Sequence, residues 1–328
     1  MSPITELIGG AKAYGWSKFI SSGIPPIAVN GAGYLTSPRK DGVGYASTRI
    51  EKFNFVTEAR TTISATMPDT RGAMAGFGNA TTAGYFAGGI NYPSVYNTTQ
   101  KLTYSGETRS EIGSTFTTAR FNNKGFGNTA GTNGYMAGGQ DLSSFYTTAR
   151  KLAFSSDTWS DISAVLSSNR SGAGTASNPS VAGYFAGGYN GSTSIATIDK
   201  LTFSGETMST LSSNLPSAFD NAGMMSNTAS AGYIVGGNQT GIFKITYPTD
   251  VISTLSATMP YKNTFSAYWS CPTNYAAVAG ARLDPYPDVT NAIQKIDYNT
   301  ETRTTFSATL EAGGETSTYG VSNATLGA

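Results

Sequence analysis

The chain contains no histidine and only one cysteine, Cys271. Because histidine is absent, the protein lacks the usual general base near neutral pH, the commonest protein metal ligand and every catalytic triad built around imidazole. A single cysteine allows neither an intrachain disulfide nor a cysteine-based metal site. We therefore expect no cofactor and no metal ion, and we assign no catalytic residue from the sequence.

Charge is also scarce, since charged residues make up 12% of the 328 residues and the 21 basic and 20 acidic side chains nearly cancel. A net charge of +1 creates no broad field, so we expect neither nucleic acid nor an anionic membrane as a partner. No apolar run reaches membrane-spanning length, and the first residues show no basic segment followed by an apolar one. We expect synthesis in the cytoplasm without a signal peptide, and no membrane insertion.

Glycine is abundant, with 39 residues, and a short pattern recurs in this glycine-rich background. The pattern is a lysine, an apolar residue, any residue and an aromatic residue, and successive lysines lie 49, 50, 49, 44 and 51 residues apart. A period in this range is typical of repeat architectures, in which each unit buries a face against its neighbours. The six copies begin at Lys52, Lys101, Lys151, Lys200, Lys244 and Lys295.

Each copy has further landmarks. Upstream lies the motif Gly-Tyr-x-x-Gly-Gly, at residues 84–89, 134–139, 183–188 and 232–237, with weaker forms at Gly33-Tyr34 and Asn274-Tyr275. We predict four strands per unit from the alternating apolar residues after each lysine, the turn that follows, a further apolar position and a segment of small residues. The small residues are expected in the innermost strand.

An acidic residue stands six positions after every lysine. Because it recurs in all six units, we expect it to stabilise a turn, either by accepting backbone N–H bonds or by pairing with a nearby lysine, and not to act as a unique catalytic acid. The six acids are Glu58, Glu107, Asp157, Glu206, Asp250 and Glu301.

The order of these landmarks resembles the kelch repeat of β-propellers. The matching residues are Tyr104, Glu107-Thr108, Ile112, Ala119-Arg120 and the Gly-Tyr motif at 134–139, whereas the tryptophan of the repeat has a counterpart only at Trp159. The resemblance implies an all-β, six-bladed, kelch-like β-propeller with four-stranded blades over residues 30–328.

Ring closure can also be predicted. The tail at 320–328 parallels the inner-strand segment at 76–84, and the strands that should follow it are missing from the C-terminus. We expect this C-terminal inner strand to pair with N-terminal strands from residues 31 to 66, which removes the free sheet edges. Residues 1–29 form an N-terminal extension that acts either as a tether or as a cap, through Leu7, Ile8, Tyr14, Trp16 and Phe19.

A binding site must break the six-fold equivalence, so the variable loops after each Gly-Gly are the candidate ligand-binding loops. Arginines recur nineteen residues after three of the lysines and are expected on the same rim of the propeller. The loop residues are Arg39, Asp41, Tyr92, Tyr96, Asp141, Tyr146, Tyr189, Asn190, Arg282, Asp284, Tyr286 and Asp288; the rim arginines are Arg71, Arg120 and Arg170.

In composition the chain resembles virion proteins of tailed bacteriophages, being rich in serine, threonine, glycine, asparagine and alanine. That resemblance implies a non-enzymatic fibre, tail or capsid-decoration module of the virion, joined to other virion proteins through residues 1–29 and presenting loops to a host-surface glycan or receptor. Two alternatives stay open. One is a glycan-active hydrolase using Asp284 and Asp288, and the other is an intracellular kelch-type interaction adaptor.

Overall fold

The computed structural model describes residues 29–36, 39–40, 47–128, 131–178, 180–227, 230–264, 266–271, 274–283, 289–310, 315–316, 319–322 and 325–326. The expected tether residues Leu7, Ile8, Tyr14, Trp16 and Phe19 lie outside these ranges, as do Asp41, Asp284, Tyr286 and Asp288.

The structure is a β-propeller of six blades, each a sheet of four antiparallel strands that we letter A to D from the axis outward. No helix occurs among the described residues. The strands A to D are Tyr319–Ser322, Ala32–Thr36, Arg49–Asn54 and Arg60–Thr66 in blade 1; Ala75–Asn79, Ala83–Ala87, Thr99–Thr103 and Thr108–Glu111 in blade 2; Lys124–Gly127, Asn133–Ala137, Thr148–Ala153 and Thr158–Val165 in blade 3; Gly174–Asn178, Ala182–Ala186, Ile198–Thr202 and Thr207–Thr210 in blade 4; Ala222–Asn227, Ala231–Gly236, Gly241–Thr246 and Val251–Thr258 in blade 5; and Ala267–Cys271, Tyr275–Leu283, Val289–Asp297 and Arg303–Thr309 in blade 6.

Short strands add to the loops at both ends of the ring, with the pair of Val29–Asn30 and Thr325–Leu326 at the end of the A–B turns and the others at the opposite end. Ile90–Asn91 pairs with Ser94–Val95 within blade 2, and Asn263–Thr264 pairs with the end of strand B in blade 6. Arg39–Lys40 pairs with Glu315–Thr316, and Val29–Asn30 pairs with Thr325–Leu326. We call the end that carries the B–C and D–A connections the upper face, and the end with the A–B and C–D turns the lower face.

The predicted ring closure is confirmed. Strand A of blade 1 comes from the C-terminal part of the chain and pairs with strand B from the N-terminal part, with Val321 opposite Tyr34. The six A strands then contact one another in a closed circuit around the axis. Closing the ring in this way pairs both ends of the chain within one blade and leaves no blade with a missing inner strand.

The glycine of the Gly-Tyr motif allows an aromatic side chain of the preceding blade to pack on the backbone. A Cβ atom at Gly33 would lie 2.4 Å from the ring of Trp269, and one at Gly183 would lie 2.0 Å from the ring of Phe126. Interiors are too densely packed to absorb such an overlap. The motif therefore marks a contact between blades.

The tyrosine of the motif also packs between blades. Tyr85 in blade 2 stacks on Phe154 in blade 3 with ring centroids 5.0 Å apart, and Tyr135 stacks in the same way on Phe203 in blade 4 at 5.2 Å. The buried apolar clusters accordingly draw on neighbouring blades. The core of the protein is thus a ring of blade interfaces.

Tyr275 was predicted as the motif tyrosine of blade 6, but it lies two residues away from the position that the other motif tyrosines occupy on their strands. Each motif tyrosine of blades 1 to 5 lies opposite the repeated lysine of its own blade, as Tyr85 does with Lys101. In blade 6 the residue opposite Lys295 is Ala277, and Tyr275 lies two residues earlier on the strand. Tyr275 therefore is not the sixth equivalent anchor, and its hydroxyl donates instead to the Phe55 carbonyl at 3.0 Å.

Candidate functional site

On the lower face, every repeated lysine donates to the repeated acid of the next blade. In five pairs the Nζ–carboxylate distance is 2.5 to 2.7 Å, and the sixth contact joins Lys244 to Glu301. The pairs of this lysine–carboxylate ring are Lys52–Glu107, Lys101–Asp157, Lys151–Glu206, Lys200–Asp250, Lys244–Glu301 and Lys295–Glu58. The expected turn acids are therefore also inter-blade partners.

The ring is held by the motif tyrosines. The Tyr85 hydroxyl donates to Asp157 at 2.7 Å, alongside Lys101, and desolvation together with this bond raises the pKa of Tyr85. All six acids have positive φ angles, between 47° and 57°, at the C–D turn. A backbone conformation that is uncommon outside glycine, repeated six times, indicates that the carboxylates are positioned by the fold. Their hydrogen-bonding capacity serves the interfaces between blades.

On the upper face, the B–C loops of blades 2, 3 and 4 share one frame. Each opens with the Gly-Gly pair, and Gly88 and Gly89 have φ angles of 71° and 104°, in the region that favours glycine. The second glycine donates its N–H to the D–A connection, as Gly89 does to the Arg120 carbonyl at 3.0 Å. Hairpins of the same shape therefore stand side by side on adjacent blades.

The rim arginines lie beneath these hairpins and are buried. Arg71 pairs with both carboxylate oxygens of Asp69, donates to Thr98 and packs 3.8 Å from the ring centroid of Tyr96. Arg120 packs in the same way on Tyr146, at 4.1 Å, and burial lowers the pKa of Arg120 to about 10. Both tyrosines thus support a buried cation, an arrangement worth about 0.5–2 kcal/mol each.

Arg170 is as deeply buried as Arg120 but has a buried carboxylate as its partner. It pairs with the buried Asp199 at 2.9 Å and donates to the Gly187 and Thr197 carbonyls at 3.2 Å. Its own backbone N–H and carbonyl contact the preceding blade, at Tyr146 and Gly139. Arg170 therefore joins the upper faces of blades 3 and 4, and is not presented to solvent.

Asp141 and Asn190 organise the hairpins of blades 3 and 4. One side-chain oxygen of Asp141 accepts from the N–H groups of Ser143 and Ser144 at 2.7 Å, and Asn190 makes the equivalent turn. The other Asp141 oxygen accepts from the Tyr146 hydroxyl at 2.5 Å, and these bonds lower the pKa of Asp141 to about 2. Both predicted loop residues therefore have a defined structural contact.

The tips of the hairpins carry the exposed groups. Tyr92 in blade 2 is 78% exposed, and Leu142 in blade 3 is 57% exposed. Tyr189 in blade 4 packs edge-on against Phe145 of blade 3, which couples the two hairpins. Leu142 was missing from the sequence prediction, although its position between Asp141 and two serines in a turn could have indicated exposure.

The remaining predicted loop residues belong to blades 6 and 1. Arg39 lies opposite Thr316 in a short ladder, and Arg282 lies opposite Thr264. The strand at Glu315–Thr316 contacts strands B and C of blade 6. The predicted loop residues that the structure describes therefore fall into two groups, one on blades 2 to 4 and one at the junction of blades 6 and 1.

No group of three or more histidine, cysteine, aspartate or glutamate side chains that could hold a metal ion occurs in the part of the chain that the structure describes. Within the same part, no helix is long and apolar enough to cross a membrane. Cys271 is buried, and burial raises its pKa to about 11, so its thiolate is disfavoured. No protein-family model matches the chain, and no curated protein matches it.

Proposed function

We propose that this propeller is a non-enzymatic binding module whose partner contacts the upper-face hairpins of blades 2 to 4. One observation carries the proposal: the three hairpins share a frame of Gly-Gly pairs and buried arginines, but their tips differ. Tyr92, Leu142 and Gly191 occupy equivalent exposed positions. A rigid support with variable tips is the usual form of a recognition surface.

The kelch-like repeat and the composition support a more specific assignment, a fibre, tail or capsid-decoration protein of a tailed bacteriophage. In this proposal the upper face presents its loops to a host-surface glycan or receptor, and residues 1–29 join the propeller to other virion proteins. An exposed tyrosine such as Tyr92 suits both roles of the loops, because its ring can stack on a sugar or fill a pocket in a protein.

The test is binding of fluorescently labelled protein to a panel of bacterial cells and to a glycan array. The variant carrying Tyr92→Ser and Leu142→Ser is expected to lose at least about tenfold in affinity, because buried aromatic contacts dominate interface energies. A matched control carries Val56→Ser and Val251→Ser, which change two exposed apolar residues of the lower face.

Three results would contradict the proposal. Equal losses in the upper and lower variants would remove the upper face as the binding surface. Degradation of the glycan, abolished by Asp284→Asn, would favour the hydrolase. If deleting residues 1–29 left assembly into a larger particle intact, the tether would be wrong.

A further inference from the structure

A groove of about 350 Å³ lies on the outer wall of the propeller, between blades 1 and 2. Residues 64–66 of strand D in blade 1 form one side, and residues 106–109, at the C–D turn and the start of strand D in blade 2, form the other. This volume falls in the range of roughly 300–1,000 Å³ in which small molecules bind. The groove is separate from the upper-face hairpins and so lies outside the proposed binding surface.

Glu107 offers the groove a hydrogen-bond acceptor. The Tyr34 hydroxyl and the Lys52 amine both donate to its Oε1, at 3.0 and 2.5 Å. In Asp157, the equivalent acid of the next blade, the tyrosine and the lysine use one oxygen each. Among the described residues, nothing donates a hydrogen bond to the Oε2 of Glu107. One oxygen of this carboxylate therefore joins the blades, and the other remains available to a ligand.

Arg109 offers a hydrogen-bond donor that is already fixed in place. Its Nε donates to the Thr66 carbonyl and its Nη1 to the Gln100 Oε1, both at 3.0 Å. Its Nη2 makes no hydrogen bond within the part of the chain that the structure describes. Ser64, Thr66 and Thr108 line the same groove and are exposed, and each hydroxyl can both donate and accept.

The same arrangement recurs between blades 5 and 6. The repeated sequences are Ser-Ala-Thr at 64–66 and 256–258, and Glu-Thr-Arg at 107–109 and 301–303. Arg303 donates from Nε to the Thr258 carbonyl and from Nη1 to Gln294, both at 3.0 Å. Glu301 accepts from its tyrosine and its lysine through Oε1 alone. Two blade interfaces therefore present the same donors and acceptors.

The repeat of the fold does not require this arginine. In blade 1 the strand register gives the position to Arg60, which lies 3.6 Å from the buried carboxylate of Glu51. The residues at that position in blades 3, 4 and 5 are Trp159, Met208 and Ile252. Since other side chains serve the packing of those blades, the reuse of one arginine geometry in two grooves points to a shared ligand.

We propose that the two grooves bind neutral sugar units of a polysaccharide. A sugar hydroxyl can donate to the Oε2 of Glu107 while a neighbouring hydroxyl accepts from the Nη2 of Arg109, and hydrogen bonds to charged groups are the stronger ones. An apolar ligand would leave both groups unpaired, and an acidic sugar would set a second carboxylate beside Glu107. Because both grooves lie on one ring, a long polysaccharide can occupy both and gain affinity from the second contact.

The test is two-dimensional ¹H–¹⁵N NMR of the arginine Nε–H groups in the folded, full-length chain. Those of Arg109 and Arg303 are bonded to carbonyls, and each signal is assigned from its loss in Arg109→Lys or Arg303→Lys. The probes are neutral hexasaccharides of glucose, galactose, mannose and N-acetylglucosamine. At least one is expected to shift both signals over the same concentration range. The variant carrying Tyr92→Ser and Leu142→Ser should keep both shifts, so that failure of the grooves and failure of the upper-face surface are distinguished.

Gly106→Leu supplies a matched comparison between the two grooves. A Cβ atom at Gly106 would lie 3.6 Å from Thr108, an ordinary contact, so the variant should fold with a side chain in the first groove. It should weaken the response of Arg109 at least about tenfold and leave that of Arg303 unchanged. Gly205→Leu places the same side chain at the equivalent turn of blade 4, where the nearest atom is 3.5 Å away, and should change neither response.

Four results would overturn the proposal. The first is that no hexasaccharide shifts either arginine signal, and the second is that only one of the two signals responds. The third is an unchanged Arg109 response in Gly106→Leu. The fourth is a larger shift with an acidic hexasaccharide of glucuronate than with any neutral probe, which would assign the grooves to an anion.

Discussion

The two faces of the propeller solve the same problem of joining blades in different ways. On the lower face a lysine and an acid bridge all six interfaces, and the lysine side chains are 18% to 29% exposed. Among the described residues of the upper face, buried arginines lie at the start of blades 2, 3 and 4, and Phe219 takes the equivalent place at the start of blade 5. The same kind of ion pair joins the blades at every interface of the lower face, whereas each buried arginine of the upper face has its own set of partners.

The difference follows from solvation. A half-exposed ion pair costs little to desolvate, so the same pair can recur with few changes in its surroundings. A buried guanidinium needs several partners of its own, and each rim arginine has a different set. Arg71 uses Asp69, Arg120 uses the Gly138 carbonyl and Arg170 uses Asp199. The upper face can therefore vary from blade to blade while the lower face keeps the repeat.

The largest effect is expected from Arg170→Met. This change leaves Asp199, which is 0% exposed, with neutral donors alone, and breaking such a buried pair typically costs about 3–5 kcal/mol. The free energy of unfolding, measured by urea denaturation, should fall by that amount. Adding Asp199→Asn should restore part of the loss, because it removes the uncompensated charge. A loss below about 1 kcal/mol in the single variant would contradict a buried ion pair between Arg170 and Asp199.

An intermediate effect is expected from Gly183→Ala, which tests the contact between the motif glycine and the aromatic ring of the preceding blade. The added Cβ atom would overlap the Phe126 ring, and overpacking of this kind typically costs about 1–3 kcal/mol. Urea denaturation of Gly113→Ala supplies the control, since a Cβ atom there meets nothing within 4 Å. Equal stabilities for the two variants would remove the explanation of the Gly-Tyr motif.

A smaller effect is expected from Tyr146→Phe, which keeps the ring over Arg120 and removes only the bond to Asp141. The lowered pKa of Asp141 means that its contribution to stability is complete above about pH 4 and is lost as the pH falls towards 2. In the variant the Asp141 pKa, measured by carboxylate NMR titration, should rise towards 3.8. Tyr96→Phe should leave it unchanged, and a pKa insensitive to Tyr146→Phe would refute the hydrogen bond.

Much of the fold could be predicted because its determinants repeat. The lysine, the acid and the glycines recur at fixed offsets. The C-terminal tail repeats the sequence pattern of an inner strand, which is the strand that it supplies to blade 1. The partner of each lysine could not be predicted, because the acid near it in sequence bonds to a different blade. The shifted Tyr275 was missed for a related reason, since strand register depends on pairing that short motifs do not encode.

The candidate site was less predictable. Loop position could be read from the Gly-Gly pairs, but whether a loop side chain is exposed depends on its neighbours. Tyr92 is exposed, whereas Tyr146 lies between Arg120 and Asp141.

The most direct test of the closed ring is a double-mutant cycle between Lys295 and Glu58. The two residues are 237 positions apart in the sequence, and the Lys295 Nζ lies 2.7 Å from the Glu58 carboxylate. Using Lys295→Met and Glu58→Gln, urea denaturation should give a coupling energy of about 0.5–1 kcal/mol that decreases in 1 M salt. The matched cycle with Glu301→Gln, in the same blade as Lys295, should give none. Coupling to Glu301 and none to Glu58 would contradict the joining of the sixth blade to the first.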